Sequence, residues 1–165
     1  MDFAFTGDKK KKTGPSKKWT TKQIKDEIAS LEAKIEEAKE REGDTEVRDA
    51  ILDKAQFLKD EAQDYPLAET IFREAYAMSG GASRKMEILF EILLMNIEKF
   101  DIDALKKDIA SCHGLVEEGA DWDKKNKLKI FEGVYCMLIQ DFKKAADLFV
   151  TSIATFTCTE LLEYK

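Results

Sequence analysis

Residues 121–165 read DWDKKNKLKIFEGVYCMLIQDFKKAADLFVTSIATFTCTELLEYK, and this stretch decides the fold. A helix can open after Gly119, with Asp121 or Asp123 available as an N-cap for its free backbone N–H groups. From Leu128 to Ile139 it is apolar on nearly every side, through Ile130, Phe131, Val134, Tyr135, Met137 and Leu138. Such a helix belongs between neighbours rather than on a surface. The chain then turns at Gln140-Asp141-Phe142, and a second helix sets Ala145, Phe149 and Ser152 on one face at spacings of four and three. Gly133, twelve residues before Ala145, is placed to let the two helices approach closely. On this reading leucine at 133 overpacks the contact, and alanine is expected to be milder, with a gain in helix propensity. The stretch predicts one helical hairpin.

Two more hairpins are legible upstream. Over 45–79, Val47, Ile51, Leu52, Ala55, Phe57 and Leu58 load a first helix, a turn follows at Asp64-Tyr65-Pro66, and Ala68, Phe72 and Ala75 repeat the small–aromatic–small face. Pro66 suits a helix start, where its missing N–H costs nothing. After the break at Gly80-Gly81, the hairpin over 84–117 has Met86 to Phe100 apolar all round and therefore central, a turn at Asp101-Ile102-Asp103, and Leu105, Ile109 and Cys112 on the diagnostic face. Ala68, Leu105 and Ala145 recur at intervals of 37 and 40. The small–aromatic–small face is the second-helix pattern of a tetratricopeptide repeat, here degenerate and longer than that repeat's usual period of about 34. A hairpin buries its apolar faces only against other hairpins. The predicted fold over 45–165 is thus an all-α, right-handed solenoid of about three tetratricopeptide-like hairpins.

A helix over 21–42, capped by Thr20 or Thr21 and ended by Gly43, precedes them. Its apolar residues Ile24, Ile28, Leu31, Ile35 and Ala38 form a narrow coiled-coil-like seam of two heptads, expected to lie against one partner surface. We assign 19–43 to this amphipathic helix and 1–18 to a disordered tail. Residues 1–20 hold six lysines and two aspartates, a local +4, so the remainder carries −10 within a net charge of −6. The run Lys9–Lys12 with Lys17 and Lys18 fits a solvated tail better than an import signal or phosphate patch. At the other end, Thr157-x-x-Glu160 followed by Leu161-Leu162 is a capping box for a new helix. The chain is expected to be the first part of a longer protein, leaving Phe149, Val150, Ile153, Phe156, Leu161 and Leu162 to meet water or a partner.

Composition excludes several classes of function. The chain has 165 residues, 44% hydrophobic and 36% charged, with two prolines and eight glycines, enough for one helix-rich domain. The acidic folded part argues against nucleic acid and anionic membranes, and no apolar run approaches the roughly 20 residues of a membrane span. The N-terminal residues contain no apolar signal-peptide core. Cys112, Cys136 and Cys158 are odd in number and far apart, read as reduced thiols of the cytosol or nucleus. No Cys-x-x-Cys pair exists and His113 is the sole histidine, so no metal site is expected. Gly80-Gly81 is no phosphate loop, and neither a cofactor nor a small-molecule substrate is predicted.

Catalysis is not expected either. Cys112 and His113 suggest a thiol–imidazole pair, but adjacent helical side chains diverge by about 100°, and His113 before Gly114 reads as a helix-terminal residue. Glu36-Glu37 and Glu117-Glu118 read as solvated faces. A peptide clamp of the chaperone-adaptor kind needs donors on the first helix of each repeat, where this chain has Asp53, Phe57, Ile130 and Val134.

The residues do resemble a known family. Asp121-Trp122-Asp123, Gly133-Val134-Tyr135, Asp141-Phe142-Lys143-Lys144-Ala145-Ala146, Thr155-Phe156-Thr157 through Tyr164-Lys165, and Glu46–Ala50 through Phe72-Arg73 are similar to the 26S proteasome non-ATPase lid subunits of the subunit-seven type, a PCI-domain family. The resemblance covers about 45–165, is strongest over 117–165 and is absent from 1–18. It implies a helical-repeat segment leading to a PCI domain that ends in a winged helix. It further implies a non-catalytic scaffold that joins other lid subunits in cytoplasm and nucleus and supports ubiquitin-dependent degradation, with no catalytic residues to carry over. The paralogous scaffold, the COP9 signalosome's first subunit, shares the architecture; the ending Thr155 to Lys165 favours the proteasome family. Two departures stand out: the family has a longer helical region ahead of the 21–42 helix, and this sequence does not include the PCI domain.

Overall fold

The computed structural model describes residues 19–41 and 43–153. The expected disordered tail over 1–18, the Thr157–Glu160 capping box, Cys158 and the apolar residues Phe156, Leu161 and Leu162 lie outside the described residues. The described chain is seven α-helices with no strand: α1 Thr21–Arg41, α2 Asp44–Phe57, α3 Tyr65–Met78, α4 Ala82–Lys99, α5 Ile102–Glu117, α6 Trp122–Leu138 and α7 Phe142–Ser152. A π-helical turn, Leu58–Ala62, extends α2.

Four of the seven helices, α1, α3, α5 and α7, begin where a side-chain oxygen accepts from their first N–H groups. The α2, α4 and α6 helices start after Gly43, Gly81 and Asp121 without a side-chain cap bond, so Asp121 holds the N-cap position expected of it but makes no capping bond. Thr20 caps α1 reciprocally with Gln23: the Gln23 N–H donates to Thr20 Oγ1 at 3.3 Å and the Thr20 N–H to Gln23 Oε1 at 2.9 Å. Asp64, Asp101 and Asp141 each accept from the N–H three residues on, of Leu67, Ala104 and Lys144. The residue before each aspartate is left-handed and none is glycine: Gln63 at φ 56°, Phe100 at 55° and Gln140 at 65°. Helix-end hydrogen bonds hold these conformations. Phe100 N–H donates to Ile97 O and Asp101 N–H to Asn96 O; Gln140 and Asp141 repeat the pattern with Met137 and Cys136. In the first hairpin the Asp64 N–H reaches Leu58 O, one residue wider, and the π-turn absorbs the extra residue. The three turns are one device used three times.

Phe100 corrects the expectation that Met86 to Phe100 is central throughout. As the left-handed residue ending α4 it is 66% exposed, whereas Met86, Leu89, Phe90, Ile92, Leu93 and Met95 are buried. The α5 helix also runs through Gly114 to Glu117 and ends at Gly119, φ 100°, so His113 is not helix-terminal.

Each helix packs against its neighbours in sequence, and α4 also meets α6. This order is that of stacked hairpins, α2–α3, α4–α5 and α6–α7. The diagnostic residues Ala68, Phe72, Ala75, Leu105, Ile109, Cys112, Ala145 and Ser152 are all buried. Phe149 is half-buried, with its ring over Gly133. A Cβ added at Gly133 would lie 2.6 Å from Phe149 Cε1, so even alanine requires the ring to shift. The narrow seam of α1 lies on α2, burying Leu31, Ile35 and Ala38, and Trp19 meets Phe57 edge to face at 5.1 Å. Its partner surface is within the chain.

Candidate functional site

Where the first hairpin meets the second, polar side chains enter an otherwise apolar interior. Asp108 on α5 is buried, and a buried carboxylate is costly unless paired and hydrogen-bonded. Arg73 on α3 supplies both needs, donating from Nη1 to Oδ1 and from Nη2 to Oδ2, each at 2.8 Å. Asn96 Nδ2 on α4 donates to Asp108 Oδ2 at 3.0 Å, while the buried Asn96 Oδ1 has no hydrogen-bond donor. Outward, Arg73 Nη2 donates to Glu69 Oε1 at 3.1 Å and Lys99 Nζ to Glu69 Oε2 at 2.7 Å. The Asp108 bonds raise the Arg73 pKa. Burial pushes the Glu69 carboxyl up, but its bonds from Lys99 and Arg73 outweigh this and hold it below the usual carboxylate range. Each carboxylate is committed to a fixed cation, which suits joining helices rather than moving protons.

The Cys112–His113 pair is separated as helical geometry requires. Cys112 is buried, and burial followed by Asp108 pushes its thiol up to about 12. His113 Nε2 instead meets Glu132 Oε1 of α6 at 3.0 Å. Burial also raises the Cys136 thiol. Neither cysteine is poised as a thiolate nucleophile. Among the described residues no three His, Cys, Asp or Glu side chains could hold a metal ion, and no helix is long and apolar enough to cross a membrane. Of the four peptide-clamp positions, Ile130 and Val134 are buried in the core, Phe57 is half-buried and Asp53 is exposed. None of the four is a groove-facing donor.

Two surface features remain. A groove of about 300 Å³ separates α2 from α4, lined by Arg48, Asp49, Leu52 and Gln56 on one wall, Arg84, Glu87, Ile88 and Glu91 on the other, with Phe72 and Ser79 completing it. On the edge formed by the turns, Phe100, Ile139 and Phe142 are exposed. The α4 and α6 helices share a register, with Phe90 stacked on Phe131 at 5.0 Å and Lys124 paired to Glu87 at 2.7 Å, which brings their C-terminal turns side by side. Sequence reasoning missed the Arg73–Asp108–Asn96 network. Its one signal was polar residues at Asn96 and Asp108, positions whose helical neighbours are apolar.

Helices packed in chain order and a core running from hairpin to hairpin define an all-α helical-repeat protein. Residues 17–165 match the family model for 26S proteasome subunit RPN7, and the chain belongs to that family. It is 40% identical over 143 residues to the 26S proteasome non-ATPase regulatory subunit 6 of Oryza sativa subsp. japonica, covering 86% of this chain and 36% of that protein. Similarity to the homologue from Arabidopsis thaliana is 39% over 141 residues, 85% of this chain and 36% of the relative. The Dictyostelium discoideum subunit 6 is 36% identical over 139 residues, 84% and 36% of the two chains. The chain spans about a third of the length of these relatives.

Proposed function

We propose that this chain is the helical-repeat part of a non-catalytic scaffold subunit of the 26S proteasome regulatory-particle lid. Its partners are other lid subunits, its setting is cytoplasm and nucleus, and the process it serves is ubiquitin-dependent protein degradation. The observation carrying this reading is the family match over 17–165, which takes in α1 and the whole hairpin stack from Asp44 to Ser152. Stacked hairpins extend a surface by adding units that contact only their neighbours, which suits a scaffold. The non-catalytic part of the reading is supported by the buried thiols and by carboxylates held against fixed cations. We divide the chain into a tail over 1–18, an amphipathic helix over 19–43 and the repeat region over 45–165.

Affinity capture of the full-length protein carrying these residues, followed by mass spectrometry, tests the assignment. Lid subunits and the 20S core are expected in both cytosolic and nuclear fractions. Recovery of signalosome subunits without proteasome subunits would transfer the chain to the paralogous scaffold.

A further inference from the structure

We propose that the cleft between the second and third hairpins receives an aspartate or glutamate side chain of a neighbouring lid subunit, seated between Lys125 and Lys129. The inference rests on the lid reading and names one contact made there. The cleft lies where α6 faces α5 and α7. Lys125, Leu128, Lys129 and Glu132 line it from α6, at the spacings of a single helix face. Val116 of α5 and Leu148 of α7 add apolar walls. His113 closes one side through its contact with Glu132 at 3.0 Å. The cleft holds about 180 Å³, below the roughly 300–1,000 Å³ of a small-molecule site, which suits a side chain.

The lysines of this cleft lack the partners that most ions of the fold have. The Lys125 ammonium group has no hydrogen-bond or ion-pair partner among the described residues. Lys129 Nζ donates only to the neutral Asn126 Oδ1, at 3.3 Å. Glu132, the one carboxylate lining the cleft, is already met by His113 and lies 4.0 Å from Lys144 Nζ. Lys125 and Lys129 stand four residues apart, a like-charge spacing that is mildly unfavourable in a free helix. Their Cβ atoms are then about 5–6 Å apart, so one incoming carboxylate can accept from both ammonium groups and relieve the repulsion. Lys129 is half-buried, which shields that bond in part from salt. Val116 and Leu148, also half-buried, leave apolar surface for the partner's chain beside its carboxylate. A polyanion such as nucleic acid meets the −10 of residues 21–165, whereas a single side chain meets the local pair of lysines. The larger groove between α2 and α4 offers no such pair, since Asp49, Glu87 and Glu91 are already joined to Arg48, Lys124 and Lys59.

Lysine acylation of the full-length subunit, free and within the purified lid complex, reads this contact by mass spectrometry. Lys125 and Lys129 should react several-fold more slowly in the complex than in the free subunit. A carbodiimide, which joins an amine to a touching carboxylate, should link one of them to an aspartate or glutamate of another subunit. Equal acylation rates in the two states would overturn the proposal. Slower acylation with carbodiimide links confined to carboxylates of this same chain would overturn it too, because the cover would then not be an acidic side chain. The lid reading fails in a different way. A subunit absent from the complex would overturn that reading and this contact with it, whereas an intact complex with both lysines freely reactive would overturn the contact alone.

Discussion

At the junction of the first two hairpins Arg73, Asn96 and Asp108 meet through hydrogen bonds of 2.8–3.0 Å. At the next junction Phe90 and Phe131 lie 5.0 Å apart with nearly parallel rings, and Ile130, Phe131 and Val134 are buried around them. Both contacts join neighbouring hairpins of one stack, yet they resist different insults. An apolar contact gains from every buried methylene and tolerates modest shifts. A buried ion pair adds little net stability while intact and costs much when half of it is removed, because the survivor is left without its partner. The first junction is therefore specific in geometry, and the second supplies stabilisation.

The largest expected effect falls on the apolar side. Phe131→Ala removes a fully buried ring at the α4–α6 contact and should cost about 3–5 kcal/mol in urea unfolding. A loss below about 1 kcal/mol would show that the second junction is not closely packed. Asp108→Ala on the polar side should cost about 3 kcal/mol, near the lower end for a broken buried pair, since Arg73 is 41% exposed and can recover water. Loss of hydrogen-exchange protection is expected first at α3 and α5, whereas Phe131→Ala should expose α4 and α6.

Within the third hairpin the close contact is between Gly133 and Phe149. Gly133→Leu should cost roughly 1–3 kcal/mol, by overpacking. Gly133→Ala should also destabilise, because the 2.6 Å approach outweighs alanine's helix-propensity gain of about 1 kcal/mol. In the background of Phe149→Ala the same glycine substitution should become neutral or stabilising. Equal effects in both backgrounds would mean that the ring does not occupy the space over Gly133.

Much of this contrast was legible in the sequence. The faces Ala68/Phe72/Ala75, Leu105/Ile109/Cys112 and Ala145/Phe149/Ser152 identify three second helices because their spacing follows from helical geometry alone. Gly133 was readable as a close approach for the same reason. The left-handed residues Gln63, Phe100 and Gln140 were not, since a non-glycine in that conformation is strained and persists only through the bonds that end the preceding helix. Asp108 was hidden too: a carboxylate on a helix reads as exposed unless the arginine that pairs with it, 35 residues upstream, is known to lie beside it. The groove between α2 and α4 is a tertiary product, set by how two hairpins splay rather than by any local pattern.

The smallest effect is the dependence on pH. Glu69 titrates below its ordinary value of 4.5 in the folded protein. Its contribution is therefore present above that pH and is lost as pH falls through the lower folded value. Melting temperature should drop more steeply below about pH 4.5 in the parent than in Glu69→Gln. Parallel profiles would show that Glu69 gains nothing from Lys99 and Arg73 on folding.

The stacking of the hairpins is tested most directly by a double-mutant cycle over Arg73 and Asp108, with urea unfolding of Arg73→Met, Asp108→Leu and the two together. Each single change strands a partner, whereas the double replaces the pair with apolar groups. The predicted coupling is about 2–3 kcal/mol, with the double variant close to the parent. Additive losses, with coupling within about 0.5 kcal/mol of zero, would mean that α3 and α5 do not meet through this pair and would contradict the junction on which the stack is built.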